Sequence, residues 1–182
     1  MKAPQSLETD RLILRQPLPT DAEIIFERYG GDRDVTRYLG WPRHESIEQT
    51  RSFLAFSDAA WANSPGGPYL IESRHSRTLL GSTGFDFETP LRATLGYVLA
   101  RDAWGYGYAT EALGAIVAIA PTLGIRRLQA HCHPENRASS RVLEKCGFAL
   151  EGTLRQYLVF PNLGNPEPSD VLCYSRIFSE LL

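Results

Sequence analysis

The sequence predicts a mixed α/β fold, with antiparallel strands early and one strand–helix–strand crossover in the middle. Three observations support it. Residues 69–100 divide into three strand-like segments whose joining turns are short enough for antiparallel meanders. Residues 94–132 then read strand, helix, strand, the pattern of a crossover between parallel neighbours. Helix-like segments fall both before and after the strand run, so helices are expected on both faces of one sheet.

The elements follow in order. Arg11–Arg15 reads RLILR, a short β-rich run. Pro19-Thr20-Asp21 offers a helix start, Ala22–Tyr29 carries apolar residues at helical spacing, and Gly30-Gly31 ends the run. A second helix is predicted from Ser46, its N-cap, to Ala62, with Ile47, Phe53, Leu54 and Trp61 forming the apolar stripe. Ser64-Pro65-Gly66-Gly67-Pro68 breaks it.

Strands are predicted at Tyr69–Ser73, Leu79–Glu88 and Thr94–Ala100, with turns around Arg74–Thr78 and Thr89–Arg92. Ala109–Ile119 is almost wholly apolar after Glu111, as a helix buried on most sides would be. Pro121 lacks an amide and predicts a kink or end near Ala118–Pro121. Arg127–Cys132 reads as a strand and Arg137–Cys146 as a helix capped by Gly147. Phe148–Phe160 is a strand with room to bend, Asn162–Ser169 a loop and Val171–Phe178 a last strand. No repeat, low-complexity tract or linker interrupts the chain, so residues 1–182 are expected to form a single domain.

Composition narrows the function classes. Hydrophobic residues make up 43% and charged residues 22%, ordinary for a globular domain with its own core. A formal net charge of −2 gives no basic field for nucleic acid. Cys132, Cys146 and Cys173 are odd in number and widely spaced, which predicts reduced thiols. The N-terminal residues lack the apolar run of a signal peptide, and no stretch is long enough for a bilayer, so a cytoplasmic location is expected.

The most informative segment is Trp104-Gly105-Tyr106-Gly107-Tyr108-Ala109-Thr110-Glu111-Ala112, between a strand and an apolar helix. Glycine lets a backbone turn sharply and approach a ligand. The first turn of a helix has unpaired amides and the positive end of its dipole. Together they suit a pyrophosphate. A lone G-x-G fits a plain turn as well. A dinucleotide fingerprint would need glycine at Thr110, a P-loop would need Gly-Lys-Ser/Thr, and antiparallel strands before the loop oppose a Rossmann unit.

Leu95-Gly96-Tyr97-Val98-Leu99 followed by this loop resembles the acetyl-CoA signature of the GNAT superfamily in its Rim-type form, the branch of ribosomal-protein N-terminal acetyltransferases. The superfamily pattern Q/R-x-x-G-x-G/A places Asp102 at its Gln/Arg position, a departure that backbone phosphate contacts would tolerate. Asn136-Arg137-Ala138-Ser139-Ser140-Arg141-Val142-Leu143-Glu144-Lys145-Cys146-Gly147-Phe148 resembles the family's downstream N-x-x-S-x-x-(V/L)-x-x-K-x-G-F stretch. Glu8–Leu12 and Glu151-Gly152 extend the resemblance over nearly the whole chain.

The resemblance implies a central mixed, mostly antiparallel sheet splayed between the fourth and fifth predicted strands, Thr94–Ala100 and Arg127–Cys132, by a bulge near Val98 and Leu99. It implies acetyl-CoA as cosubstrate and no metal. It assigns cosubstrate binding to Tyr97, Val98, Leu99, Trp104, Gly105, Tyr106, Gly107, Tyr108, Ala109, Thr110, Asn136 and Ser139. The Leu99 amide would stabilise the oxyanion. Many family members place a tyrosine at the position of Leu143; the Rim-type branch instead has a serine where Ser139 falls, as the donor to the leaving sulfur. Asn136 also reads simply as a helix N-cap.

Other roles stay open at this level. Glu111 reads as a first-turn dipole complement. The base that takes the amine's proton is Asp86, Glu88, Glu72 or a water chain. His131 and His133 alternate onto one strand face but lack further ligands at zinc spacing. Trp41, Tyr38, Phe85, Phe87 and Tyr157 are candidates for an acceptor pocket, with the loop Pro161–Pro168 over it. The expected acceptor is a peptide N-terminus or a small amine, and the expected assembly a monomer or homodimer. A non-catalytic acyl-CoA-binding module and a nucleotide-binding regulator are the competing classes.

Overall fold

The computed structural model describes residues 1–178, and among these eight strands form one sheet. They are β1 (Ser6–Glu8), β2 (Leu12–Arg15), β3 (Pro68–Ser73), β4 (Leu79–Thr89), β5 (Arg92–Leu99), β6 (Arg127–Cys132), β7 (Ala149–Leu158) and β8 (Ser169–Ile177). Their order across the sheet is β1-β2-β3-β4-β5-β6-β8-β7. Among the described residues only β5 and β6 pair in parallel. The α-helices are α1 (Ala22–Ile25), α2 (Arg33–Thr36), α3 (Ile47–Asn63), α4 (Tyr108–Ile119) and α5 (Arg137–Lys145).

Strand alternation sends neighbouring side chains to opposite faces, which gives the sheet two cores. Tyr69 and Ile71 join the larger core, with Leu95, Leu99, Leu128, Ala130 and the fully buried α4 residues Leu113 and Ile116. Leu70 and Val98 join the smaller one, with Ile25 of α1 and Leu54 of α3. Helices therefore cover both faces. Burying each large aliphatic side chain contributes about 1.5–3 kcal/mol, so α4 is held chiefly by its apolar face.

Several local details differ from the sequence reading. The predicted helix Ala22–Tyr29 is α-helical only to Ile25; a π-turn, Phe26–Gly30, follows, closed by the Gly31 amide donating to Phe26 O at 2.9 Å. Ser46 stands at the N-cap of α3 but makes no side-chain cap bond; Gln49 Oε1 instead accepts from the Glu45 amide at 2.6 Å. Strand β1 and helix α2 are too short for a periodicity to reveal. Asp32 caps α2 by accepting from the amides of Asp34 and Val35.

Other boundaries agree. Helix α4 stops at Ile119, and Pro121 opens a 3-10 turn. Helix α5 ends in a Schellman motif: Gly147 adopts φ +77°, its amide donates to Glu144 O, and the Phe148 amide donates to Leu143 O. Strand β7 is bent, with two register shifts against β8 and Gln156 at φ +48°.

The fold positions the site by parting β5 from β6. Their pairing covers Arg92↔Arg127, Ala93↔Leu128 and Thr94↔Gln129 and then stops. Beyond it β5 continues along β4 to Leu99, while β6 continues along β8 to Cys132. These are the fourth and fifth strands of the sequence reading. The expected bulge at Val98 and Leu99 is not the cause: the β4–β5 register runs unbroken from Gly81↔Leu99 to Phe87↔Ala93, and its shift lies at Phe87/Thr89. Each strand keeps its outer partner, so the twist between neighbours opens a wedge without breaking either ladder.

Candidate active site

At the end of β5 the chain enters a 3-10 turn, Arg101–Ala103, and then the glycine loop. Gly105 and Gly107 adopt φ +83° and +80°. An L side chain in this region costs about 1–2 kcal/mol, which is the local reason for glycine at both positions. Gly107 is the N-cap of α4 and has no side chain to cap it. The first intrahelical bond runs from the Glu111 amide to Gly107 O at 3.1 Å. None of the amides from Gly105 to Thr110 has a protein acceptor among the described residues. Tyr106, Tyr108, Ala109 and Thr110 thus contribute main-chain donors at the positive end of a twelve-residue helix.

Side chains fix this loop from three sides. The Trp104 indole donates to Leu99 O at 2.9 Å. Arg11 donates to Tyr106 O at 3.0 Å, lies 4.8 Å over the Tyr108 ring, and pairs with Glu111 at 2.6 Å. Glu111 also accepts from Thr9 Oγ1 and the Arg11 amide. Burial pushes the Glu111 carboxyl up, but these donors outweigh it and hold it below its ordinary value. The carboxylate is a structural clamp between the β1–β2 turn and α4. Asp102 receives a bidentate pair from Arg28, at 2.7 and 2.9 Å, and Arg28 also donates to Leu79 O. Sequence reasoning missed Arg28, because no local pattern joins residues so far apart.

The wedge carries the next set. The Ala100 amide donates to Leu80 O, so even-numbered residues of β5 turn their main chain to β4. Tyr97 and Leu99 turn theirs toward the gap that β6 has left. Val98 points its side chain into the core under α1 and α3. From the opposite wall, Asn136 caps α5, its Oδ1 accepting from the Ser139 amide at 3.2 Å. The capping reading of Asn136 therefore describes its oxygen.

Tyr97 and Ser139 meet across the gap, with Tyr97 Oη 2.9 Å from Ser139 Oγ. Burial pushes the Tyr97 phenol up to about 12, so it remains a proton donor at neutral pH. Leu143 is fully buried in the core. Cys132 at the end of β6 lies 3.6 Å from Ser140, and burial pushes its thiol up.

The acceptor-side candidates separate. Tyr38 stacks on His133 with centroids 5.0 Å apart, and Phe160 meets the same ring edge-on at 5.0 Å. Tyr157 lies against His131 at 5.2 Å. Trp41 is near His44, whereas Phe85 belongs to the large core with Phe87 packed on it, so these two are removed from the pocket set. Asn162 ties the turn Pro161–Leu163 to the α2–α3 connection, donating to Thr36 O and Trp41 O and accepting from the Arg43 amide. A cavity of about 350 Å³ lies there, lined by Arg33, Arg43 and this turn.

Two of the three carboxylates considered as bases are engaged in ion pairs. Glu72 is buried and pairs with Arg15 at 2.6 Å and Arg77 at 3.1 Å. Glu88 accepts from Thr94 and Gln129 and pairs with Arg92, which hold it below the ordinary carboxylate range against partial burial. Asp86 is exposed. Among the described residues no group of three or more His, Cys, Asp or Glu is placed to hold a metal ion, and no helix is long and apolar enough to cross a membrane.

Comparison with known proteins agrees with this geometry. Residues 11–149 match the acetyltransferase (GNAT) domain family. The chain is 40% identical over 174 residues to the uncharacterized N-acetyltransferase YoaA of Bacillus subtilis (strain 168), covering 94% of this chain and 96% of that one. It is 29% identical over 143 residues to the ribosomal-protein-serine acetyltransferase of Escherichia coli (strain K12), covering 76% of each. The solved structure of RimL, a ribosomal L7/L12 alpha-N-protein acetyltransferase in complex with coenzyme A, superposes with a TM-score of 0.80 at 26% identity, covering 93% of this chain and 95% of that one. The parted strands, the glycine loop at the α4 N-terminus and these matches lead to one conclusion: the chain is an acyltransferase that belongs to the GNAT family of acetyltransferases.

Proposed function

We propose that the chain transfers the acetyl group of acetyl-CoA to a primary amine by direct attack in a ternary complex, and that the acceptor is the α-amino group of a protein N-terminus. The observation that carries this reading is the continuity of free main-chain donors. They run from the Tyr108–Thr110 turn, through the loop at Gly105, to the edge of β5 at Leu99 and Tyr97.

The residues fit the cosubstrate in order. Amides from Gly105 to Thr110 hold the pyrophosphate, with Trp104 locking the approach. Tyr97 and Leu99 offer their backbone to the pantetheine, whereas Val98 turns its main chain to Ser82 of β4, and among the described residues Asn136 Nδ2 has no protein partner and is available to the same arm. The Leu99 amide faces the position of the thioester oxygen, where a fixed donor stabilises the oxyanion. Ser139 protonates the departing sulfur, and Tyr97 restores its proton. Holding amine and thioester together supplies much of the acceleration. Direct attack fits the thiols of Cys132 and Cys146, both pushed up by burial and so poor thiolate nucleophiles.

The protein-acceptor reading rests on two relatives whose names specify ribosomal-protein acetylation, at 26–29% identity. Incubation with acetyl-CoA and peptides starting with Ser, Ala or Thr, beside a set of small amines, tests it. Free thiol and an N-terminally acetylated peptide are expected. Turnover of small amines alone would overturn the acceptor class. Coenzyme A binding with no turnover on any amine would favour a non-catalytic acyl-CoA-binding module.

A further inference from the structure

The sequence left the base open among Asp86, Glu88, Glu72 and a water chain; in the structure Glu72 and Glu88 are tied in ion pairs, and Asp86 is an exposed carboxylate on β4. At the opening of the wedge stands an imidazole with no hydrogen-bond partner among the described residues, whereas His133, two residues on, is stacked on Tyr38 and accepts from the Glu135 amide. His131 lies on β6, two residues beyond the last β5–β6 pair at Gln129. Its neighbours Ala130 and Cys132 point into the large core, so alternation turns its imidazole to the opposite face, the face of Thr94 and Val98. Extending the parallel register places it opposite Gly96, where an added Cβ would meet nothing within 4 Å. The absent side chain leaves an opening beside the ring at the start of the wedge.

The ring is half-buried, yet neither nitrogen hydrogen-bonds to protein among the described residues; its one close partner is the Tyr157 ring at 5.2 Å. A half-buried imidazole with both nitrogens unused is available to a ligand or to a water held by one. From these positions we infer that His131 is the proton acceptor for the attacking amine, and this inference rests on the acetyl-transfer reading above. The amine lone pair forms the C–N bond to the thioester carbonyl carbon. The surplus proton on nitrogen passes to a ring nitrogen of His131, directly or through one water. The C–S bond then breaks, and the sulfur takes a proton from Ser139. One proton leaves nitrogen and reaches solvent through His131, and one reaches sulfur from Ser139, which solvent reprotonates through Tyr97, so the protons balance.

The surroundings keep the imidazole neutral and able to accept. Burial lowers its affinity for a proton first; Glu88 on β4 raises it and Arg127 on β6 lowers it again. Glu88 is itself paired with Arg92, and Arg127 with Glu151 of β7. On β8, Cys173 stands in register with His131, and burial keeps it a neutral thiol.

The test compares wild type with His131→Ala and His131→Gln, using a Ser-initiated peptide and, in parallel, hydroxylamine, which is unprotonated at neutral pH. Expected are a loss of about 100-fold or more in kcat with the peptide, a much smaller loss with hydroxylamine, unchanged coenzyme A affinity, and an acid limb of the kcat/KM profile reduced to the titration of the amine itself. Added imidazole should restore part of the alanine variant's rate. An unchanged acid limb and rate in both variants would overturn the assignment. Should no acceptor turn over, NMR titration of the His131 ring in wild type decides. A pKa below the ordinary histidine value, perturbed by acetyl-CoA, supports the role; a ring insensitive to bound acetyl-CoA refutes it, while calorimetric coenzyme A binding shows that the site itself stands.

Discussion

Tyr97 on β5 and Ser139 on α5 share a hydrogen bond of 2.9 Å that spans the gap between the parted strands. It joins the two sequence motifs at the point where they act on one substrate, and it brings a phenol to a site where position 143 provides only leucine. If the two hydroxyls act in series, their contributions are not additive. Tyr97→Phe should lower kcat by roughly 2- to 10-fold, the value of one hydrogen bond. Ser139→Ala should lower it further, and the double variant should equal Ser139→Ala. Steady-state kinetics of the four proteins checks this; additive losses would mean that Tyr97 acts elsewhere.

Gly107 tests the phosphate cradle. A Cβ there would meet only Arg11 Nη2 at 3.6 Å, an ordinary contact, so the penalty comes from the φ of +80°. Gly107→Ala should destabilise the fold by about 1–2 kcal/mol and weaken coenzyme A binding as the loop relaxes. Asp102→Ala serves as the control. Main-chain amides carry the phosphates in our reading, so its coenzyme A affinity should change less than that of Gly107→Ala. Calorimetry and thermal unfolding report both quantities.

The clamp at Glu111 sets an acid limit on the loop. Its carboxyl is held below its ordinary value in the folded state, so it protonates more readily once unfolded. The stabilisation is fully present above the unfolded carboxylate pKa and fades as pH falls through the lower folded value. Glu111→Gln should cost about 1–2 kcal/mol near neutrality, discounted because Arg11 is half exposed. The two proteins should converge in stability as the solution is acidified below the ordinary carboxylate range. Urea unfolding at stepped pH would show a constant difference if the clamp were uncharged.

Asn162 separates acceptor binding from cosubstrate binding. Its amide holds three backbone groups between Thr36 and Arg43. Asn162→Ala should release the α2–α3 connection from the Pro161–Leu163 turn, raise the KM for the acceptor peptide and leave coenzyme A affinity unchanged. An equal loss in both would place this turn in the cosubstrate site.

The sequence by itself determined the helices and strands with strong local signals, the two glycines of the loop, the serine of α5 and the family. The local elements follow from short-range chemistry (a positive φ that glycine tolerates, a cap such as Asn136, a proline such as Pro121 that cannot continue a helix), whereas the family and the serine's expected role came from the resemblance of the two motifs. It did not reveal β1 or α2, which are too short to show a period. Nor did it reveal that β8 inserts between β6 and β7, because strand pairing is a contact between distant segments. Only the tertiary structure decided how the splay arises, that Phe85 is core, that Asp102 meets Arg28 and that Glu88 is spent on Thr94, Gln129 and Arg92. It also left His131 a half-buried imidazole at the opening of the wedge, without a hydrogen-bond partner among the described residues. A side chain's availability depends on which neighbours the fold brings within reach, and no local pattern encodes them.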